Sequence, residues 1–160
     1  MPSDQVKVIF DCNTFVQALL SPDGAAAASM ELVRRGEIAL YVSPQVLAEI
    51  RDVLQRPVIM KRLPSLTIER VQAFLEDVVA HATTIRNVPA KFRYERDPED
   101  EPYINLAAVA GADYIVSRDR DLLDLMTGTS VECKEFRQRF RPLKVVQPLE
   151  FLREVAPDQS

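Results

Sequence analysis

Residues 96–123, RDPEDEPYINLAAVAGADYIVSRDRDLL, decide the fold: two acidic clusters stand at the two ends of one apolar segment. Pro102 suits the first turn of a helix, where its missing N–H goes unneeded, and Gly111 suits the position just past a helix end. Between them, residues 104–110 are mostly small and apolar, so the stretch predicts a buried helix. Tyr114, Ile115 and Val116 then make a short β-rich run that stops at Ser117, which puts Asp119 and Asp121 on the turn leaving a strand. Carboxylates gathered in one place repel each other unless positive charge lies between them. A divalent cation held by oxygen ligands is a common remedy.

Outward toward the N-terminus, residues 6–10 form a short apolar run, interrupted only by Lys7 and ended by Asp11, the pattern of a strand buried on both faces and therefore central in its sheet. Asp11, Cys12, Asn13 and Thr14 follow at its carboxyl end, where open parallel sheets bind ligands. Asn13 or Thr14 is expected to cap the next helix, which reaches Leu20 before the turn Ser21-Pro22-Asp23-Gly24. Residues 25–35 resume a helical pattern with Gly36 as its stop. Ile38, Leu40 and Val42 alternate with Ala39 and Tyr41 as a second strand, and Ser43-Pro44 reads as an N-cap followed by the first helical position. In the helix to about Gln55, Val46, Ile50 and Val53 recur on one side, with Glu49 at the edge of that stripe. Alone, such a glutamate reads as an exposed or snorkelling side chain.

Residues 57–64 are expected to be a loop or short turn, and Thr67 to cap a helix with Val71, Phe74, Leu75, Val78 and Val79 on its apolar side. Residues 83–88 suit another short strand, and 91–96 are charged and irregular. Past Asp121 come a short helix at Leu122, Leu123 and Leu125, a loop, a basic run over 134–141, a last strand at 144–146 and a terminal helix at 148–155. Strands alternating with helices predict an α/β fold of three layers, with a mainly parallel central sheet flanked by helices. No repeat or boundary interrupts it. One domain over 4–156 is expected, with flexible termini at 1–3 and 157–160.

At 160 residues and 47% hydrophobic content the chain can bury a core of ordinary size. It has no run long enough to span a bilayer, and MPSDQVKVIF lacks the pattern of a signal peptide, so a cytoplasmic location is expected. Cys12 and Cys133 are too few for a disulfide scaffold and lack zinc-site spacing, which makes them buried thiols. The net charge of -4 argues against bulk wrapping of nucleic acid but leaves room for a local basic patch. His81, the sole histidine, falls near a helix end, a poor place for a catalytic base. A haloacid-dehalogenase phosphatase would need a second Asp where Asn13 stands, and dinucleotide or P-loop sites would need glycine motifs that are absent.

Four segments, VIFDCNTFVQALLSP, VSPQVLAEIRDVL, DPEDEPYINLAAVAGADYIVSRDRDLL and VVQPLEFL, follow one another in the order found in a known family. Through them the chain resembles PIN-domain proteins, and more narrowly the prokaryotic PIN toxins of toxin–antitoxin pairs. The resemblance implies a compact Rossmann-like fold and a metal-dependent ribonuclease. Carried over residue by residue, the family's catalytic and metal-binding acids fall on Asp11, Glu49, Asp100 and Asp119. Asp121 is then an accessory acid, Asn13 a polar partner of Asp11, and Ser117 stands where many relatives have Thr. The resemblance also implies a cognate antitoxin and a homo-oligomer, a dimer.

Each acid has an ordinary alternative: Asp100 could cap its helix, and Asp119 and Asp121 could be turn residues. Asp11 is hardest to explain away, because an acid at the end of a buried strand needs a partner. One ion accounts for all four placements. An all-oxygen set without clustered His or Cys suits Mg²⁺ or Mn²⁺, with Asp11 and Asp119 on the main ion and Glu49 and Asp100 on a second ion or its waters. Relief of repulsion predicts that Asp11→Ala scarcely harms stability. Arg118 and Arg120 flank Asp119 as candidate contacts for RNA phosphates, with the basic run of 134–141 a weaker candidate that suits a solvated face. Tyr103 and Phe92 suit core packing better than base stacking. The alternative to a nuclease acting on single-stranded RNA is a non-catalytic PIN-like module that binds RNA or protein, or a fold in which metal only neutralises the acids.

Overall fold

A computed structural model describes residues 5–157, so the termini expected at 1–3 and 157–160 lie outside it apart from Pro157. Five strands, β1 (Lys7–Phe10), β2 (Ala39–Val42), β3 (Ala82–Thr84), β4 (Tyr114–Val116) and β5 (Lys144–Val146), form one parallel sheet in the order β3-β2-β1-β4-β5. The strand within 6–10 is central, as expected from its apolar run, which only Lys7 interrupts. Val8 pairs with both Leu40 and Tyr114, and Phe10 with Val116. The order reverses direction between β1 and β4, and the crevice outside the carboxyl ends of such a pair is where ligands bind in open α/β sheets.

The helices are α1 (Cys12–Leu20), α2 (Ala25–Arg34), α3 (Pro44–Leu54), α4 (Pro57–Arg62), α5 (Ile68–His81), α6 (Glu101–Ala110), α7 (Arg120–Leu123), α8 (Val131–Arg139) and α9 (Pro148–Val155). Helix α6 lies across β1, β2 and β4 with α3 beside it, and α5 packs on α3. Phe10 meets Phe15 of α1 and Phe151 of α9 edge-on, and α2 packs on α1 and α9. These two helical groups cover strands whose Val8, Ile9, Leu40 and Ile115 are wholly buried. Gly111, with φ 65, ends α6 in the left-handed conformation that a glycine adopts without steric cost. Among the described residues no helix is long and apolar enough to cross a membrane.

Four local expectations change. Residues 57–64 contain α4, a helix with Pro57 at its start but no buried residue, so no apolar stripe announces it. The basic run lies on and just past α8, which Ser130 caps through the Cys133 N–H. Strand β3 ends at Thr84 instead of continuing to 88. Helix α1 is capped by Asp11, one residue before Cys12, and not by Asn13 or Thr14.

The irregular stretch before the acidic turn is held from several sides. Asn105 Oδ1, buried on α6, accepts the Lys91 and Phe92 N–H groups at 2.9 and 2.8 Å. Phe92 packs against Tyr94, Phe136 and Phe140. Arg137 donates to the carbonyls of Leu125 and Gly128, and Arg139 to that of Lys91. Two of the four cations of the basic run, Arg137 and Arg139, are thus occupied in holding loops.

Candidate functional site

Asp11 leaves β1 at the carboxyl edge of the sheet, and its N–H still bonds the Val116 carbonyl of the neighbouring strand. Its Oδ1 accepts from the Thr14 N–H at 2.8 Å and Thr14 Oγ1 at 2.6 Å, and its Oδ2 accepts from Ser117 Oγ at 2.5 Å. Burial nonetheless outweighs these bonds and raises its pKa above the usual carboxylate value. Ser117 also accepts the Asp119 N–H at 2.8 Å, so one hydroxyl joins the loop after β1 to the loop after β4. Asp119 caps α7 by accepting the Asp121 N–H at 2.8 Å.

The turn Pro98–Asp100 brings acids from the other direction. Asp97 accepts the Glu99 N–H and so caps this turn, whereas Asp100, placed before α6, makes no capping bond. The cap alternative for Asp100 therefore falls away. Its Oδ2 is buried without a hydrogen-bond partner, and burial, followed by the nearby Asp119, Asp97 and Asp11 carboxylates, pushes its pKa up to about 8. Burial likewise raises Asp97. One carboxylate oxygen from each of Asp97, Asp100, Asp119 and Asp121 can be chosen so that all four lie within 4.8 Å of one another. Arg96 flanks the group, with Nε 2.6 Å from Asp121 Oδ1 and an Nη 2.6 Å from Asp124.

A cavity of about 260 Å³ gathers Asp11, Asn13, Glu49, Asp97, Asp100 and Asp119. All four acids named from sequence thus line one space, although the tightest group joins Asp100 and Asp119 with Asp97 and Asp121, while Asp11 and Glu49 stand beside it. Glu49, half-buried on α3, accepts from the Tyr103 hydroxyl of α6, whose pKa burial drives far upward, so the phenol stays a donor. Cys12 also lines the cavity, but burial lifts its thiol to about 12 and leaves it a poor metal ligand at neutral pH. Only oxygen donors remain, one of them orphaned and buried. Such a set fits a hard divalent cation.

Of the other residues named from sequence, Asn13 and Tyr103 also line this space, but Asp11 takes its hydrogen bonds from Thr14 and Ser117 and not from Asn13. Asp121 belongs to the tight group, Ser117 stands behind Asp11, and Arg118 and Arg120 are exposed without lining the cavity. Phe92 and Tyr103 are buried, so neither offers an open face to a base. Asp97, which the sequence offered with Glu99 and Glu101 only as a neighbour of Asp100, and Arg62, which it did not single out, also line the site. An Asp directly before Pro98 is a turn-initiating signal that points to the first, whereas Arg62 arrives on α4, whose only sequence signal is Pro57 at its start.

Comparison with known proteins agrees with this fold. The family model for the PIN domain matches residues 7–121. An uncharacterized protein of Methanocaldococcus jannaschii is 30% identical over 156 residues, covering 96% of this chain and 94% of that one. The crystal structure of PAE2754 from Pyrobaculum aerophilum superposes with a TM-score of 0.59 at 18% identity, covering 95% of this chain and 90% of the other. That of VapBC2 from Rickettsia felis, bound to a DNA fragment from their promoter, gives a TM-score of 0.53 at 15% identity, covering 89% and 98%.

Proposed function

The chain belongs to the PIN-domain family, and on that premise we propose that it is a ribonuclease that hydrolyses phosphodiester bonds of single-stranded RNA with Mg²⁺ or Mn²⁺. The observation that carries the reading is the buried, unpartnered Asp100 Oδ2 inside a group of four aspartates. Asp100 and Asp119, with Asp97, would hold the ion, and Asp11 and Glu49 would face it across the cavity. When bound, the ion supplies positive charge for the phosphoryl oxygens and acidifies a water molecule at neutral pH.

The chain's own groups do the rest. Thr14 and Ser117 hold both Asp11 oxygens, so this carboxylate is oriented before any ligand arrives. Tyr103 holds Glu49 through Oε1, which leaves Oε2 as the acceptor for a proton from the attacking water. Arg96 fixes Asp121 at the outer edge and keeps that carboxylate from swinging inward.

Residues 4–156 act as one PIN unit in this reading, within the cytoplasm. The biological role is that of a toxin held by a cognate antitoxin, with the free protein a homodimer. The likeness to the VapBC2 assembly of Rickettsia felis supports the partner. Incubation of the purified protein with single-stranded RNA, with and without Mg²⁺ or Mn²⁺ and beside Asp11→Asn, tests the proposal. Metal-dependent cleavage lost in the variant is expected; RNA binding without cleavage in any metal would replace the nuclease by a binding module.

A further inference from the structure

The acidic cavity has two unlike sides. Building on the nuclease reading, we infer that RNA crosses the side made by α1, α3 and α4, where Arg62 binds a phosphate next to the one cleaved. Val53 and Ile59, both only partly buried, then pack against the adjoining nucleoside. All three residues line the cavity that holds the aspartates. Arg62 is exposed and, among the described residues, has neither a hydrogen bond nor an ion pair. Arg56, at the other end of the same helix, is bound to Asp52, and Arg96, Arg137 and Arg139 are likewise engaged. Ile59 and Arg62 stand three apart on α4 and so share a side of that helix. A guanidinium matches phosphate geometry with a planar pair of donors, and an unpaired one keeps them available.

The opposite side lacks these features. There the site adjoins a cavity of about 400 Å³ lined by Glu49, Glu99, Gln45, Val46, Pro98 and Pro102, with two carboxylates and no cation. Phosphates would be repelled along it. Arg86 lies beyond, in a further space of about 500 Å³, and is the rival contact if the strand leaves that way. With Tyr103 and Phe92 buried, the nucleoside contact is aliphatic, and recognition at this subsite runs through the backbone and is tolerant of base identity.

The test compares wild type, Arg62→Gln, Arg62→Lys and Arg86→Gln on labelled single-stranded RNA, by initial-rate kinetics in Mn²⁺ and by fluorescence anisotropy. Arg62→Gln is expected to raise KM and Kd about tenfold with kcat nearly unchanged. It should also reduce the slope of log K against log salt by about 0.7, the value of one phosphate contact on a single strand. Arg62→Lys should recover part of the affinity, and Arg86→Gln should match wild type. The Mn²⁺-induced rise in Tm should be the same in Arg62→Gln as in wild type. The inference is overturned if Arg86→Gln carries the loss instead, or if Arg62→Gln changes Mn²⁺ affinity and leaves RNA affinity alone. If wild type binds RNA without cutting it, the nuclease reading fails and the anisotropy ratios still decide Arg62. If wild type binds no RNA, both fall.

Discussion

Asp11 and Asp100 are equally buried, each 5% exposed, yet the fold treats them in opposite ways. Around Asp11, at the β1–α1 corner, three hydrogen bonds satisfy both oxygens. Around Asp100, at the turn before α6, one oxygen has no partner and three neighbouring carboxylates add repulsion. The first acid is a structural cap that also faces the site. The second is a buried acid that keeps its proton while the site is empty, and its ionised form needs compensation from outside the chain. A metal site needs both kinds, one to keep its shape when empty and one to gain when filled.

The largest effect that would sharpen this contrast is on cleavage. Asp11→Asn should lower single-turnover RNA cleavage in Mn²⁺ by on the order of a hundredfold or more, the scale of losing an electrostatic group at a reacting centre. Asp100→Asn should lower it comparably. Thermal melts without metal should then separate the two positions. Asp11→Ala removes the α1 cap and strands the Ser117 hydroxyl, costing about 1–2 kcal/mol. That reverses the expectation, drawn from repulsion alone, that its loss scarcely harms stability. At pH 8 and above, Asp100→Asn should instead raise Tm by about 2–4 °C, since an amide can donate to the neighbouring carboxylates where the ionised side chain cannot. Equal destabilisation by both substitutions would break the comparison.

Acidity offers a third approach. The folded-state pKa of Asp100, about 8, lies above its ordinary 3.8, so the native protein holds this proton more tightly than the unfolded chain. Stability from this group is therefore fully present below about pH 4 and is lost as pH rises toward 8. The shifts of Asp11 and Asp97 run the same way. Melting of metal-free protein from pH 5 to 8 should show Tm falling, with a shallower slope in Asp100→Asn and a Mn²⁺-induced gain that grows with pH. The smallest effect belongs to Tyr103→Phe, which frees Glu49. It should cost about 1 kcal/mol of stability and reduce kcat only a few-fold, as read in the same melts and rate measurements.

Much of this arrangement was legible in the sequence because it is local. The caps at Ser43 and Thr67, the stop at Gly111, and strands ending at Phe10 and Val116 all follow from short patterns. So does the meeting of Asp11 with Asp119, once their strands are placed side by side. What escaped was set by contacts between distant segments. The partnership of Glu49 with Tyr103 spans 54 residues, and that of Ser117 with Asp11 spans 106. Helix α4 escaped for a different reason: with no buried side chain it has no amphipathic signature, and Arg62 came with it. The turn residues at 97–100 were visible as a cluster, but only three-dimensional placement separates the cap, Asp97, from the unpartnered Asp100.

The match to the family model stops at residue 121, whereas the part of the chain that keeps the acids in place does not. Beyond that point β5 zips along the outer edge of β4, with the Ser117 N–H on the Val146 carbonyl, and α8 supplies Phe136 to the aromatic cluster. A fragment trimmed to the recognisable signature would leave β4 as a raw sheet edge and lay Phe92 and Phe151's pocket open to solvent. Such a fragment would aggregate. Any fusion, split reporter or expression fragment made from this protein should therefore place its joint beyond α9, never at the end of the diagnostic segment.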